Sequence, residues 1–325
     1  MKNILGIDIG GTKTALGIIT VDGKIKAFSC FPTEKTTLGL YTQKLEMNLQ
    51  QFMAENHGQI ADLSGIGIGI RGWVDANGNT LKESSLFTQI DIDFRHHIER
   101  MSGIPVWIDN DVNAAANAER LWGHGRNFAH FVYVNIGTGT AYGIVEKGQL
   151  IRGVHNAAGE IGMALVSDPK GRGKIELEKL MSGRGIEERS RKLMGNNITF
   201  CKNTKIRWSA KDVVEAYKEG ITQAKQLLDE GLDALALSLI NTARILDPQL
   251  FVFGGGMVDR EGWFVDLIQD RVKELCSLTN QHWNIEMKVT ALGVGEAGLL
   301  GAASLVENKE TIMKEEMLNE SVGNY

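Results

Sequence analysis

The sequence predicts an α/β protein built from two related halves, and three observations carry this. Short apolar runs of strand character alternate with stretches of helical period. A strand–glycine tip–strand unit occurs twice, at 5–24 and 131–149, at an offset of about 126 residues. The chain has 325 residues, enough for two domains at roughly 100–200 residues each.

The elements follow in chain order. Asn3–Ile9 and Ala15–Val21 read as a hairpin with a Gly-rich tip, closed by the turn Asp22-Gly23. Residues 38–57 read as a helix, because Leu38, Tyr41, Leu45, Leu49, Phe52 and Met53 recur at three and four. Strands are expected at Ser64–Ile70 and Ile104–Ile108, followed by an Ala-rich helix from Asp111 to Leu121 that ends near Gly123. The second hairpin, Phe131–Gln149, repeats the first: Asp8 matches Asn135, Gly10 matches Gly137 and Gly17 matches Gly143. Residues 164–212 are polar and mixed, and 213–246 read as helix. Strands are expected at Leu250–Phe253 and Met287–Leu292, then a helix at Glu296–Val306 and a fraying polar tail from Glu307.

Composition excludes several classes. A hydrophobic fraction of 43% with 23% charged residues supports a sizeable core and rules out global disorder. A formal charge of −5 without a basic cluster argues against a nucleic-acid partner. No apolar run approaches the ~18 residues of a membrane span, and Asp8 comes too early for a signal peptide. Cys30, Cys201 and Cys276 are far apart, with neither zinc spacing nor a disulfide framework, so a cytoplasmic location is expected.

The chemistry concentrates in five places. Asp8-Ile9-Gly10-Gly11-Thr12-Lys13 ends a strand in an acid and then offers backbone N–H groups, a hydroxyl and an ammonium, which suits phosphate oxygens. An acid beside a phosphate calls for a divalent cation, so Asp8 suggests Mg²⁺, directly or through water. Gly137-Thr138-Gly139, after Asn135, has the same anatomy without the acid, and two matching loops suit a nucleoside triphosphate. Gly254-Gly255-Gly256 permits close approach of a nucleoside, or is a plain strand-to-helix turn. Asn110-Asp111 lies between strand and helix; Asp111 is either the helix N-cap or a general base acting on a hydroxyl. His155 and Glu160 sit in a loop of small residues that suits a polyol, although Glu160 also fits as a turn cap.

Standard nucleotide motifs fail. No Walker-type loop is present. Gly67-x-Gly69-x-x-Gly72 leads into a turn, and Gly293-x-Gly295-x-x-Gly298 lacks the following strand and acid of a dinucleotide fold.

In order along residues 4–305, Asp8-x-Gly-Gly-Thr-Lys, Asn110-Asp111-x-Asn113-x-Ala-x-x-Ala-x-x-Glu, Gly137-Thr-Gly-x-x-x-Gly, Ala158-Gly159-Glu160-Ile-Gly162 and Gly254-Gly-Gly together resemble the ROK family (repressors, ORFs and sugar kinases) of the hexokinase/actin-like superfamily. The resemblance implies two actin-like (ribonuclease H-like) domains with a central cleft, holding ATP, Mg²⁺ and a hexose. It implies Asp111 as the catalytic base and Asp8 as the metal-side acid. It puts Thr12, Lys13, Thr138 and Gly139 at phosphate-loop positions, and Gly255 and Gly256 on the adenosine side. Asn110, Glu160 and Glu178 become sugar-hydroxyl ligands, Glu178 through Leu177-Glu178-x-x-x-Ser182-Gly183. The expected domains are 1–117 with the C-terminal helix at about 297–325, and 118–296.

Three departures stand out. Gly159-Glu160-Ile161-Gly162 is followed by Met163 where the family usually has His. The family's C-x-C-G-x-x-G-C segment is replaced by Asp168–Glu176 without Cys, so no zinc site is expected; packing of Leu165, Ile175, Leu177 and Leu180 is expected to hold the segment instead. Arg71 stands where the family often has Pro. The family's repressors carry an extra N-terminal DNA-binding domain, for which there is no room before the loop at residue 8. The expected activity is therefore ATP-dependent phosphorylation of a hexose, at the 6-hydroxyl, by a homodimer with no nucleic-acid or membrane partner; the alternative is a catalytically silent sugar sensor or regulator.

Overall fold

The computed structural model describes residues 2–75, 80–193, 208–279, 284–293 and 296–306. The chain divides into two compact units: the described residues of Met1–Asn127, Gly143–Ala158 and Ala291–Tyr325, and those of Phe128–Tyr142 with Gly159–Thr290.

In the first unit, β1 (Asn3–Ile9), β2 (Lys13–Thr20) and β3 (Ile25–Pro32) form an antiparallel meander. β1 also pairs in parallel with β4 (Leu63–Ile70). A two-residue strand, β5 (Trp73–Val74), pairs with β6 (Leu81–Glu83), and β4 pairs in parallel with β7 (Val106–Asn110). The sheet order is β3-β2-β1-β4-β7. One face is covered by α1 (Leu38–Glu55), whose Leu38, Tyr41, Leu45, Leu49 and Phe52 recur at three and four and are all buried. Thr37 caps it, accepting from the N–H of Leu40. The short α2 (His57–Ile60) follows, and α3 (Phe94–Ser102) adds Phe94 and Ile98 to the same core. On the other face lies a helix over residues 297–306, packing Leu299, Leu300, Ala303 and Val306 on Ile4, Ala15 and Ile19. Glycines in the strands let its backbone touch the sheet: a Cβ on Gly67 would stand 1.8 Å from the carbonyl oxygen of Ala302. α4 (Asp111–Trp122) leaves the end of β7 and carries the chain unbroken past 117, the boundary expected from the sequence.

The second sheet runs β10-β9-β8-β13-β14. Its strands are β8 (Phe131–Ile136), β9 (Thr140–Glu146), β10 (Gln149–Ile151), β13 (Leu250–Gly254) and β14 (Glu286–Val289). Order for order, this is the arrangement of the first sheet, and the loops after β1 and β8 are the two that the sequence repeats. A two-stranded ribbon, β11 (Leu165–Ser167) with β12 (Lys174–Glu176), precedes α5 (Leu177–Leu180) and α6 (Gly183–Leu193). The mixed α/β class with two five-stranded sheets agrees with two actin-like domains.

Several expectations need correction. The helix expected over 213–246 is two helices, α7 (Ala210–Lys218) and α8 (Thr222–Leu246), because Gly220 takes φ +83° and ends the first. Leu165 does not hold its segment by packing: it is 69% exposed, on the solvent side of the ribbon, while Leu177 and Leu180 are buried. The structure adds β3, α3, α6 and α9 (Trp263–Ser277) to the elements expected from the sequence. The tail from Glu307, Cys201 and residues 194–207 of the polar segment lie outside the described residues.

Candidate active site

In the first unit, one group of candidate residues lies at the edge where three parallel strands end. The register pairs Asp8 with Gly69 and Gly69 with Asp109, so the residues after β1, β4 and β7 emerge together. After β1 the tip closes through Gly10 N–H donating to Lys13 O at 3.1 Å, with Gly11, Thr12 and Lys13 exposed. Asp8 lies half-buried against the helix over 297–306; a Cβ on Gly298 would come within 2.2 Å of its carboxylate. Gly298 thus makes room for an acid, which is what this part of the Gly293–Gly298 motif does. Burial pushes the Asp8 carboxyl up to about 7, helped by the negative charge of Asp111 and opposed by Lys13.

At the end of β7 one residue decides what caps α4. The N-cap of α4 is Asn110, whose Oδ1 accepts from the N–H of Val112 at 2.8 Å and of Asn113 at 3.4 Å. Asp111 occupies the first helical position and is not the cap. Burial raises its carboxyl, while the charge of Arg71 and the Val112 N–H act the other way. Asn110 also donates from Nδ2 to Gly72 O at 3.0 Å. With Oδ1 engaged in the cap, its remaining amide hydrogen is what it can offer to a hydroxyl. Asp109, 2% exposed, accepts from Arg152 Nε at 2.8 Å and from its own neighbour Asn110 N–H at 2.8 Å. That ion pair ties the loop after β10 to the strand end that precedes Asp111.

His155 is in that loop. Its ring is exposed, and its carbonyl accepts from Trp73 Nε1 at 2.6 Å. Next to it Asn156 takes φ +53° and donates to Val74 O at 2.8 Å, so β5 holds the loop at two successive residues.

A second group of candidate residues lies in the second unit. In the loop after β8, Gly137 N–H donates to Gly139 O at 2.9 Å, and Thr138 is exposed. The start of α6 backs this loop: Gly183 N–H donates to Gly137 O at 2.8 Å. After β13, Gly255 takes φ +97°, and a Cβ there would meet Ile136 O at 2.5 Å, so the two loops pack together through it. Around Gly256 a Cβ would meet nothing within 4 Å. Glu178 accepts from the Thr140 N–H at 3.3 Å, and Gly162 fits closely against Thr140 O. Glu160 is exposed at the start of a single 3₁₀ turn, Ile161–Met163, and makes no side-chain cap bond. The turn-cap alternative for Glu160 is therefore not what its side chain does. Met163 is 67% exposed.

The structure thus groups Asp8, Gly10–Lys13, Asn110, Asp111 and His155 in one unit, and Gly137–Gly139, Glu160, Glu178, Gly255 and Gly256 in the other. Arg71, which the sequence marks only as a departure, falls between the first loop and Asp111. The register of β4 is the signal that places it. Among the described residues no helix is long and apolar enough to cross a membrane.

A family model described as "ROK family" matches residues 4–309. The chain belongs to the ROK family. It is 28% identical over 324 residues to a glucokinase of Halalkalibacterium halodurans, covering 95% of this chain and 96% of that one. It is 25% identical over 310 residues to a β-glucoside kinase of Listeria monocytogenes, with 92% and 95% covered. Among solved structures it superposes on a ROK family glucokinase from Streptomyces griseus, in complex with glucose and AMPPNP, at a TM-score of 0.73 and 26% identity, covering 94% of this chain and 99% of that one.

Proposed function

We propose that this ROK protein is an ATP-dependent sugar kinase that transfers the γ-phosphoryl group of ATP to a hexose hydroxyl, the 6-hydroxyl. The observation that carries this reading is Asp111. Relieved of capping by Asn110, it stands at a strand end with its carboxyl raised by burial, as suits a base. The names of the relatives, glucokinase and β-glucoside kinase, support the same reaction class. In it, Asp111 takes the proton of the attacking hydroxyl. Asn110, His155, Glu160 and Glu178 orient the sugar. Gly10–Lys13 and Gly137–Gly139 donate to phosphate oxygens, and Gly255-Gly256 receives the adenosine.

Mg²⁺ fits this chain. Asp8 and Asp111 are two desolvated carboxylates, and the charge of Asp111 weighs on Asp8; a hard divalent cation relieves such a repulsion. Asp8 would hold it, directly or through water. Bound there, it would neutralise charge on the phosphates. We further expect a homodimer in the cytoplasm, with a small sugar as partner and neither nucleic acid nor membrane.

The test is coupled ADP release over glucose, mannose, fructose, allose and the N-acetylhexosamines, with sugar binding measured in parallel. Turnover with at least one hexose is expected. Binding of a sugar that never raises ADP release would make the protein a sensor.

Two predictions belong here. Gly256 faces open space whereas Gly255 is clamped, so Gly256→Val leaves the fold intact and intrudes where adenosine would lie. The ATP KM should rise by about tenfold or more, a loss of ~1.4 kcal/mol, with melting temperature and sugar KM unchanged. An unchanged ATP KM would remove the adenosine from this turn. The second concerns Met163, whose thioether is a poor hydrogen-bond partner for a sugar hydroxyl. A site that makes no bond to a given hydroxyl discriminates weakly there. Comparing kcat/KM for glucose, 2-deoxyglucose, mannose and a β-glucoside should find at least one altered sugar accepted well. A loss beyond about 10³-fold for every one of them would mean a site built to bond each position.

A further inference from the structure

Arg71 is the first residue after β4. The sheet register pairs Ile9 with Ile70 and Ile70 with Asn110. All three strands are parallel, so the next residue on each, Gly10, Arg71 and Asp111, stand side by side at one edge of the sheet. The backbone at Arg71 is held firmly. The Ser84 hydroxyl donates to its carbonyl, and Asn110, the cap beside the base, donates to the carbonyl of Gly72 at 3.0 Å. A Cβ on Gly72 would meet Glu83 O at 2.4 Å, so the backbone after Arg71 packs directly on the chain at Glu83.

The Arg71 side chain is half-buried and forms no ion pair among the described residues. Its charge nevertheless acts on Asp111. A guanidinium and a carboxylate withdrawn from water gain most by closing on each other in a bidentate pair. An arginine whose backbone is held next to a carboxylate, and which makes no ion pair with it, leaves its guanidinium available to a third group. What belongs there must be rich in negative charge and must also be reached from the loop at Gly10.

We propose that Arg71 is a further catalytic residue, whose guanidinium binds the equatorial oxygens of the phosphoryl group during its transfer from ATP to the sugar. This rests on the sugar-kinase reading. In the step, Asp111 takes the hydroxyl proton and the sugar oxygen forms its bond to the γ-phosphorus. The bond from that phosphorus to the bridging oxygen breaks, and its electron pair leaves on ADP. Charge spread over three oxygens in one plane suits a planar donor fork better than a point charge. The charge of Arg71 also offsets that of Asp111 as the phosphates approach.

The experiment compares wild type, Arg71→Ala and Arg71→Lys for kcat, for sugar and ATP dissociation constants, and for rescue by millimolar guanidinium ion. Arg71→Ala should lose about 10³-fold in kcat, the lower range for an arginine acting on a transferring phosphoryl group, with sugar affinity and melting temperature unchanged. Added guanidinium should restore part of that loss, which a merely structural arginine would not allow. Arg71→Lys keeps the charge and should fall between. It carries the test alone if the alanine variant fails to fold, through a lowered kcat with sugar affinity intact. A kcat unchanged in either folded variant overturns the proposal, as does a loss confined to sugar affinity, which would make Arg71 a sugar ligand. In both cases wild-type turnover shows that the kinase reading survives. Absence of sugar-dependent turnover in wild type defeats both.

Discussion

Asp111→Asn lowers kcat at least about 10²-fold, the range of a general base, and leaves sugar affinity nearly unchanged. The substitution keeps the size of the side chain and one acceptor oxygen. It keeps the helix start as well, because the cap is Asn110 and not Asp111. What it removes is the carboxylate proposed to take the proton. The variant should therefore melt like wild type or slightly higher, since a carboxyl raised by burial is one whose charged form is unfavourable there. Isothermal titration with sugar and single-turnover kinetics separate the two effects. An unchanged kcat would reduce Asp111 to the opening residue of a helix.

Gly67→Ala is the substitution with the largest expected effect on stability. The new methyl would be placed 1.8 Å from the backbone carbonyl oxygen of Ala302. No rotamer relieves that contact, because both atoms are fixed by backbone. Either β4 bends, which disturbs its pairing with β1 and β7, or the helix over 297–306 lifts from the sheet. Overpacking a core costs about 1–3 kcal/mol where side chains can yield, and here none can, so a loss at the top of that range or beyond is expected. Lifting that helix also moves Gly298 away from Asp8, so activity should fall with stability. Gly58→Ala in α2, where a Cβ meets nothing within 4 Å, serves as control and should stay within about 0.5 kcal/mol of wild type. Denaturant unfolding of the two variants measures the difference; equal midpoints would mean that the sheet and helix are not in backbone contact.

The two hairpins are legible in the sequence because a glycine tip between two period-2 runs suits a tight reversal and little else, and their repetition implies two halves of like order. The site is legible as types of residue rather than as places. Whether Asp111 caps α4 or serves as a base depends on where the helix starts to within one residue, and propensity does not resolve that. That Asn110 and not Asp111 is the cap shows only in its bonds to Val112 and Asn113. Gly298 looks like part of a nucleotide motif because glycine spacing alone carries no partner. Its partner, Asp8, lies almost a whole chain away in sequence. Arg71 is visible as an unusual residue, but its place beside Asp111 follows from parallel register, which a single sequence does not encode locally. Leu165 reads as a packing residue on hydrophobicity, yet a two-stranded ribbon has a face that no element covers.

In the proposed reaction the γ-phosphoryl group goes to a sugar and not to water. Incubation with ATP labelled at the γ-phosphorus, Mg²⁺ and glucose, followed by separation of sugar phosphate from inorganic phosphate, measures this directly. The label is expected on the sugar, in step with the ADP formed, and absent from it in Asp111→Asn over the same interval. Label found only in inorganic phosphate, or ADP formed equally without any sugar, would make the protein an ATPase and not a sugar kinase.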